Sequence, residues 1–305
     1  MKWIPFLIAI SLVLGCGSDN QVISTTPGVP PDPQGLDDLF WGTDSTLEVM
    51  TWNLENFPKD DNTTIAYAAQ IIKNLDADIV ALQEIISLAD FSLLEASLPG
   101  WEGYRAGWAS SDWQELAYLI NTEHVTITQE PYEIFEDEWY AFPREPYIVH
   151  VAWQGQEVVI INNHLKAYGD PESQDRRLQA CIMLKDYIDS QLSDMPVIVV
   201  GDMNDILTDA AADNVFQGFL DDEQNYLFAD YDIASGSSYY WSYPFWQSGS
   251  HLDHILITNE FFDQLNTPPS QTATQLIDNY FPGGLNAYEQ ALSDHRPVAI
   301  KLTTP

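Results

Sequence analysis

Basic residues are scarce in this 305-residue chain: 11 Lys and Arg stand against 46 Asp and Glu, for a formal net charge of −35. That balance excludes a broad basic footprint for polyanions. It also sets up a field that repels polyanions and anionic membranes until salt screens it, over ~8 Å at physiological strength. Cysteine is nearly absent, with only Cys16 and Cys181, which excludes a disulfide framework and a thiolate zinc site. The N-terminal apolar run, Ile4 to Leu14, falls short of the ~20 residues that span a bilayer. There is no strained serine elbow of the kind used for acyl transfer and no internal repeat.

The composition is otherwise that of a folded protein. Hydrophobic residues make up 45%, with 10 Trp, 15 Tyr and 13 Phe, enough for one large core. Residues 1–15 have the basic start and apolar centre of a signal peptide. The following "VLGC" resembles the lipobox of bacterial lipoproteins, which implies a lipidated Cys16. Gly17 rather than Asp follows, so outer-membrane placement is expected in a Gram-negative source, and an extracellular or cell-envelope location otherwise. Residues 16–46 carry four prolines with Gly, Ser and Thr and are expected to be a flexible tether. The folded domain is expected over 47–305, as a monomer. Cys181 lies in an amphipathic helical pattern and is expected to be buried.

From Leu47 strand and helix patterns alternate. Strands are expected at 47–54, 78–84, 115–121, 196–202, 254–258 and 298–302, and a hairpin over 147–153 and 157–165 turning at Gly155. Helices are expected at 64–75 and 172–192. Mixed order without strict βαβ repetition points to an α/β sandwich of two sheets. Polar residues gather at the ends of these apolar strands: Asn53 and Glu55, Glu84, Asn162 to His164, Asp202 and Asn204, Asp253, then Asp294 and His295. One such residue is ordinarily a turn former; six strand ends carrying them suggest a cleft. Glu84, Asp202, Asp294 and Asn53 offer the hard oxygen ligands that Mg²⁺ or Mn²⁺ prefers. Zinc is disfavoured, for want of cysteine and of a tight histidine pair. Imidazoles beside a divalent cation suit hydrolysis of a phosphate ester.

The ordered stretches "TWNLEN", "LQE", "NNHLK", "GDMND", "HLDHIL" and "SDHRPV" resemble the endonuclease/exonuclease/phosphatase superfamily over residues 47–303. The resemblance implies a four-layered α/β sandwich of two mixed β-sheets flanked by helices. "QELAYLIN" and "FPREPYIV" are most similar to its deoxyribonuclease I-like branch. By that similarity Glu115 pairs with His164, Asp253 pairs with His295, and the two imidazoles serve as general base and general acid. Glu84 is the principal metal ligand, with Asp202, Asn53 and Asp294 near the cation or phosphate. Asn204 positions water or phosphate, and Arg144 binds phosphate. Lys166 is either a phosphate contact or a solvated surface residue. His124, His150 and His251 match no motif. The aromatic stretch 237–250 is expected to pack rather than to bind.

The expected function is therefore a Mg²⁺-dependent phosphodiesterase, foremost an envelope-anchored endonuclease acting on nucleic acid and held to the membrane by its lipid. A sphingomyelinase-like phospholipid phosphodiesterase, a small-molecule phosphomonoesterase and a non-catalytic binding module are the alternatives. The binding module is disfavoured because no carboxylate or histidine of the set is missing.

Overall fold

A computed structural model describes residues 32–107, 113–244 and 249–303. Cys16, the signal peptide and the first half of the expected tether lie outside them. Twelve strands among the described residues form two six-stranded sheets. The first sheet holds β1 (Thr46–Phe57), β2 (Ile79–Ile85), β3 (Trp101–Arg105), β4 (Glu115–Asn121), β11 (Gln271–Thr274) and β12 (Val298–Thr303), in the order β11-β12-β1-β2-β4-β3. The second holds β5 (Thr126–Glu133), β6 (Tyr147–Trp153), β7 (Gln156–His164), β8 (Val197–Asp202), β9 (Tyr226–Phe228) and β10 (Asp253–Thr258), in the order β5-β6-β7-β8-β10-β9. Each sheet has one parallel pair, β1 with β2 and β7 with β8, among antiparallel neighbours. Helices α1 (Asp61–Leu75) and α2 (Leu88–Ala96) cover the first sheet, and α3 (Pro171–Gln191) covers the second. This is the expected four-layered α/β sandwich.

The period-2 alternation of side chains explains why the strands are apolar throughout. In β8, Ile198 and Val200 enter the core between the sheets while Val197 and Val199 meet the α3 layer. In β1, Leu47 and Val49 face the inter-sheet core, and Met50 and Trp52 pack under α1. The β6–β7 hairpin turns through Gln154 and Gly155, both with positive φ, as a two-residue primed turn requires. Helix α3 opens on Asp170, whose carboxylate accepts from the backbone N–H of Glu172 and Ser173 at 3.1 Å each, with Pro171 in the first turn. Cys181 is buried beneath it.

The packed chain begins before Leu47. Leu36, Leu39 and Trp41 are buried in the α1 layer. Gln34 N–H donates to Tyr280 O at 2.7 Å, and Trp41 N–H donates to Leu75 O at 3.2 Å. The tether expectation for 16–46 is thus corrected from about Gln34 onward. The prolines of that stretch lie upstream, while Leu36, Leu39 and Trp41 cover a seam of the core and Phe40 stays exposed. No helix among the described residues is long and apolar enough to cross a membrane.

Candidate active site

Strand register brings the polar ends level. Parallel pairing of β7 with β8 sets His164 opposite Asp202, and antiparallel pairing of β8 with β10 sets Asp202 opposite Asp253. In the other sheet Asn53 lies opposite Gln83, one residue before Glu84. Gly201 permits the tight β7–β8 approach, since a Cβ there would meet Asn163 O at 2.0 Å. Buried amides tie the two sheets below the site. Gln83 Nε2 donates to Asn162 Oδ1 at 2.8 Å, and Asn162 Nδ2 donates to Leu82 O at 3.0 Å and to Ala117 O at 3.1 Å. Asn162 is therefore a clamp between sheets rather than a group facing the cleft.

Asp202 is the hub. Its Oδ2 accepts from Asn53 Nδ2 at 3.0 Å and lies 3.5 Å from His164 Nε2 and 3.7 Å from His295 Nε2. Asn53 Nδ2 also reaches Glu84 Oε1 at 3.3 Å, while Glu84 Oε2 accepts from Asn56 N–H at 2.9 Å and Gln114 Nε2 at 2.8 Å. His295 Nδ1 is bonded to Asp253 Oδ2 at 2.7 Å, and its Nε2 stands 3.9 Å from Asp294 Oδ1. Ser293 locks that segment: its Oγ donates to Asn53 O at 2.6 Å and accepts from His295 N–H at 2.9 Å. Asn204 N–H donates to Asp202 Oδ1 at 3.0 Å, and Asn204 Nδ2 donates to Leu165 O at 3.1 Å. Glu55, Asn56, Glu84 and Asn204 all have positive φ, a concentration of backbone strain that structures hold mainly at functional sites.

Burial and neighbouring charge separate the two imidazoles. Burial holds His164 well below the usual histidine value, helped by Arg144 and His295, so it is neutral. Burial acts the same way on His295, but Asp253 and Asp202 outweigh it and hold that imidazole well above the usual value, so it is cationic. Burial pushes the Asp202 carboxyl up to about 7, with His295 opposing and Asp253 adding to the shift. Asp294 is raised too, chiefly by burial.

Glu115 corrects one expected pairing. It begins β4 beside Gly107, while His164 Nδ1 is buried with no hydrogen-bond partner. The Glu115–His164 bond implied by resemblance is not made, because the carboxylate turns toward the β3 side of the sheet. Arg144 does enter the cleft. Its Nε donates to Gln114 O at 3.2 Å and its Nη2 donates to Gln114 Oε1. Gln114, the first residue of the "QELAYLIN" stretch, thus links the guanidinium to Glu84, a role that residue type and position gave no signal of. Within the aromatic stretch, Ser242 Oγ accepts from Leu252 and Asp253 N–H at 3.1 and 3.2 Å, and the Tyr243 ring lies 4.9 Å from the His295 ring. Ser242 and Tyr243 pack at the site, whereas Tyr239 and Tyr240 of the same stretch are exposed, so the packing expectation holds only for part of it; residues 245–248 lie outside the described chain.

The donor set fits a hard divalent cation. Asp202, Asp253 and His295 come close enough to chelate, but Asp253 Oδ2 and His295 Nδ1 are spent on each other. The oxygens of Glu84, Asp202, Asp294 and Asn53 remain, the chemistry Mg²⁺ or Mn²⁺ favours. A second cluster, Asp230 with His251 and His254, also has chelating spacing. It overturns the expectation that no tight histidine pair occurs, for those two rings lie 5.3 Å apart. It is not a zinc set, since every ring nitrogen is bonded to protein.

A model described as the Endonuclease/Exonuclease/phosphatase family matches residues 50–295. Among solved structures, D. rerio TDP2 complexed with single strand DNA product superposes with a TM-score of 0.65 at 18% identity, covering 85% of this chain and 100% of that one. A Bacteroides thetaiotaomicron mannosyl-6-phosphatase gives 0.62 at 17% identity, covering 85% of this chain and 100% of the other. An endonuclease/exonuclease/phosphatase from Bacteroides vulgatus gives 0.62 at 18%, covering 86% and 100%. These likenesses show the shared fold. No curated protein matches the chain.

Proposed function

This chain belongs to the endonuclease/exonuclease/phosphatase family of metal-dependent phosphoesterases, and on that premise we propose that it is a Mg²⁺- or Mn²⁺-dependent phosphodiesterase that cleaves nucleic acid. The observation that carries this is the convergence of Asn53, His164 and His295 on Asp202, with Glu84 joined to the group through Asn53 and His164 and Arg144 facing the same cleft. Glu84, with Asp202, Asn53 and Asp294, would hold the cation, which supplies charge neutralisation at the phosphoryl oxygens.

In an in-line displacement the entering and leaving oxygens lie on opposite sides of phosphorus. His164, neutral and with Nε2 in the cleft, accepts the proton of a water positioned by Asn204 as that oxygen bonds to phosphorus. His295, kept cationic by Asp253, gives its Nε2 proton to the leaving oxygen as the phosphorus–oxygen bond breaks. Asp202 Oδ2, 3.5 and 3.7 Å from the two Nε2 atoms, would serve as a cation ligand. Glu115 supports the β4 end rather than the chemistry. Arg144 binds a non-bridging oxygen.

A diester substrate is supported by the cleft beside Arg144 and by the fold shared with a protein solved with single strand DNA product. Lipidation at Cys16 would tether the enzyme at the cell envelope, as a monomer meeting extracellular substrates. The deciding experiment is a panel of single-stranded DNA, plasmid DNA, RNA, sphingomyelin and sugar phosphates with Mg²⁺. Cleavage of nucleic acid, silenced by EDTA and restored by Mg²⁺, is expected. Turnover of sphingomyelin or a sugar phosphate alone would overturn the nucleic-acid assignment.

A further inference from the structure

Beside the catalytic residues opens a cavity of about 870 Å³ whose wall includes Arg144, Lys166, Arg176, Trp139, Tyr168 and Trp113. Three cations in one cleft are conspicuous in a chain with so few. Ion pairs among the described residues go to Lys59, Arg177, Lys185 and Arg296, and none goes to Arg144, Lys166 or Arg176. With 46 acids available, cations left without carboxylates are suited to an external anion.

The aromatic rings are held out on purpose-built loops. Trp139 is 72% exposed and Tyr168 75% exposed. Tyr168 has φ +83, a conformation that costs a non-glycine residue energy. Two successive arginines of α3 hold the loops. Arg176 Nη2 donates to Trp139 O at 2.9 Å, and its Nε donates to Tyr140 O. Arg177 Nη1 donates to Lys166 O and Tyr168 O at 2.7 Å each. Arg177 is itself anchored on Asp205 at 2.8 Å, one residue past Asn204. The Lys166 ammonium lies 4.5 Å from the centre of the Tyr168 ring. The helix that braces the catalytic layer therefore also fixes two exposed ring faces.

We propose that this cleft binds the unpaired nucleotides flanking the scissile phosphate, a base stacking on Trp139 or Tyr168 and a neighbouring phosphate lying at Lys166 and Arg176. Stacked bases in a duplex hide their faces, so a projecting ring favours a single strand or a frayed end. A simple sugar phosphate would satisfy Arg144 and leave the outer two cations without an anion. The acidic surface elsewhere repels a long duplex and concentrates affinity in this one cleft.

The proposal rests on the nucleic-acid reading above, and the test separates the two. Wild type, Trp139→Ala and Tyr168→Ala are compared in Mg²⁺ on a short DNA strand, on the same strand with abasic positions flanking the cut, and on glucose 6-phosphate. Melting curves verify that the variants remain folded. The expected result is a loss of ~5- to 100-fold in kcat/KM for one or both variants on the base-bearing strand, the range of one stacked base, with no loss on the abasic strand. If wild type cuts the strand and both variants match it, or lose equally on the abasic strand, the subsite is overturned while the nucleic-acid reading stands. If wild type cuts neither strand and hydrolyses glucose 6-phosphate, both fall.

Discussion

Two buried groups of aspartate and histidine lie on either side of β10, and they differ in what they leave unfinished. In the group around Asp230, Oδ2 takes His254 Nδ1 at 2.6 Å and His251 Nε2 at 3.1 Å, and Oδ1 takes Ile255 N–H at 2.9 Å. His254 Nε2 bonds Asp205 O at 2.9 Å, and His251 Nδ1 accepts from Ser242 N–H at 3.2 Å. In the group around Asp202, Asp253 Oδ1 and His164 Nδ1 are buried without a partner, and His295 Nε2 has only carboxylates at 3.7 and 3.9 Å. The electrostatics diverge accordingly. Burial would raise Asp230, but His254 and His251 overcome it and hold the carboxyl well below its usual range. Burial wins at Asp202. Residue types and spacing are alike; a closed network holds structure, while an open one keeps donors and acceptors for a substrate.

The largest effect should come from opening the pair at the cleft. His295→Asn, which keeps an N–H donor for buried Asp253, is expected to lower kcat by ~10²- to 10⁴-fold, the range for a lost proton-transfer group, with a melting curve close to wild type. A turnover near wild type would remove His295 from the chemistry. Asp230→Asn should do the reverse. Stranding buried His254 without its carboxylate is expected to cost roughly 3–5 kcal/mol of stability, read as a shift in the denaturant midpoint. An unshifted midpoint with lost turnover would make the closed cluster functional and erase the contrast.

A smaller effect tests the bracing of the open group. Gln114→Ala frees Glu84 Oε2 and Arg144 together, and a ~10- to 100-fold weaker apparent Mg²⁺ affinity is expected, as for other residues that orient a metal ligand. Unchanged Mg²⁺ dependence would show that Asn53 and Asn56 suffice to position Glu84. The smallest effect is a pH dependence of stability. In the fold Asp230 outweighs burial and raises His254 above its usual value. Its contribution is thus fully present below pH ~6.5, the unfolded histidine value, and fades as pH rises through the folded value. Asp230, lowered in the fold, contributes above pH ~3.9, and that contribution fades as pH falls toward its folded value. The pair should therefore stabilise most between these limits, and the difference in unfolding free energy between wild type and His254→Gln should shrink above neutrality. A difference constant from pH 5 to 9 would contradict a charged His254.

Most of the sandwich was legible because its inner strands are apolar on both faces. β4 and β6 fall at 115–121 and 147–153 as expected, and β1, β2, β7, β8, β10 and β12 within a few residues. The strands the pattern did not reveal are β3, β5, β9 and β11, and these are the four edges of the two sheets. An edge strand buries one flank at most; β5 alternates weakly between exposed and half-buried residues, leaving no apolar period to detect. The start of the packed chain was hidden for a related reason. Leu36, Leu39 and Trp41 fill a seam whose other walls lie at Leu75 and Tyr280.

The sequence by itself determined the layer architecture, the ordered motifs, and the oxygen-rich set of Asn53, Glu84, Asp202 and Asp294, because each depends on local period or on residue type at a strand end. The resemblance already paired Asp253 with His295, and the 2.7 Å bond between them agrees; only the tertiary structure decided that no carboxylate stands behind His164 Nδ1 and that Asp230 closes upon His251 and His254. It also decided that Gln114 joins Arg144 to Glu84, and that α3 carries two aromatic platforms beside them. Hydrogen-bond partnership and burial depend on distances between segments far apart in the chain. Those distances are set by sheet register and layer packing, which residue identity alone does not encode.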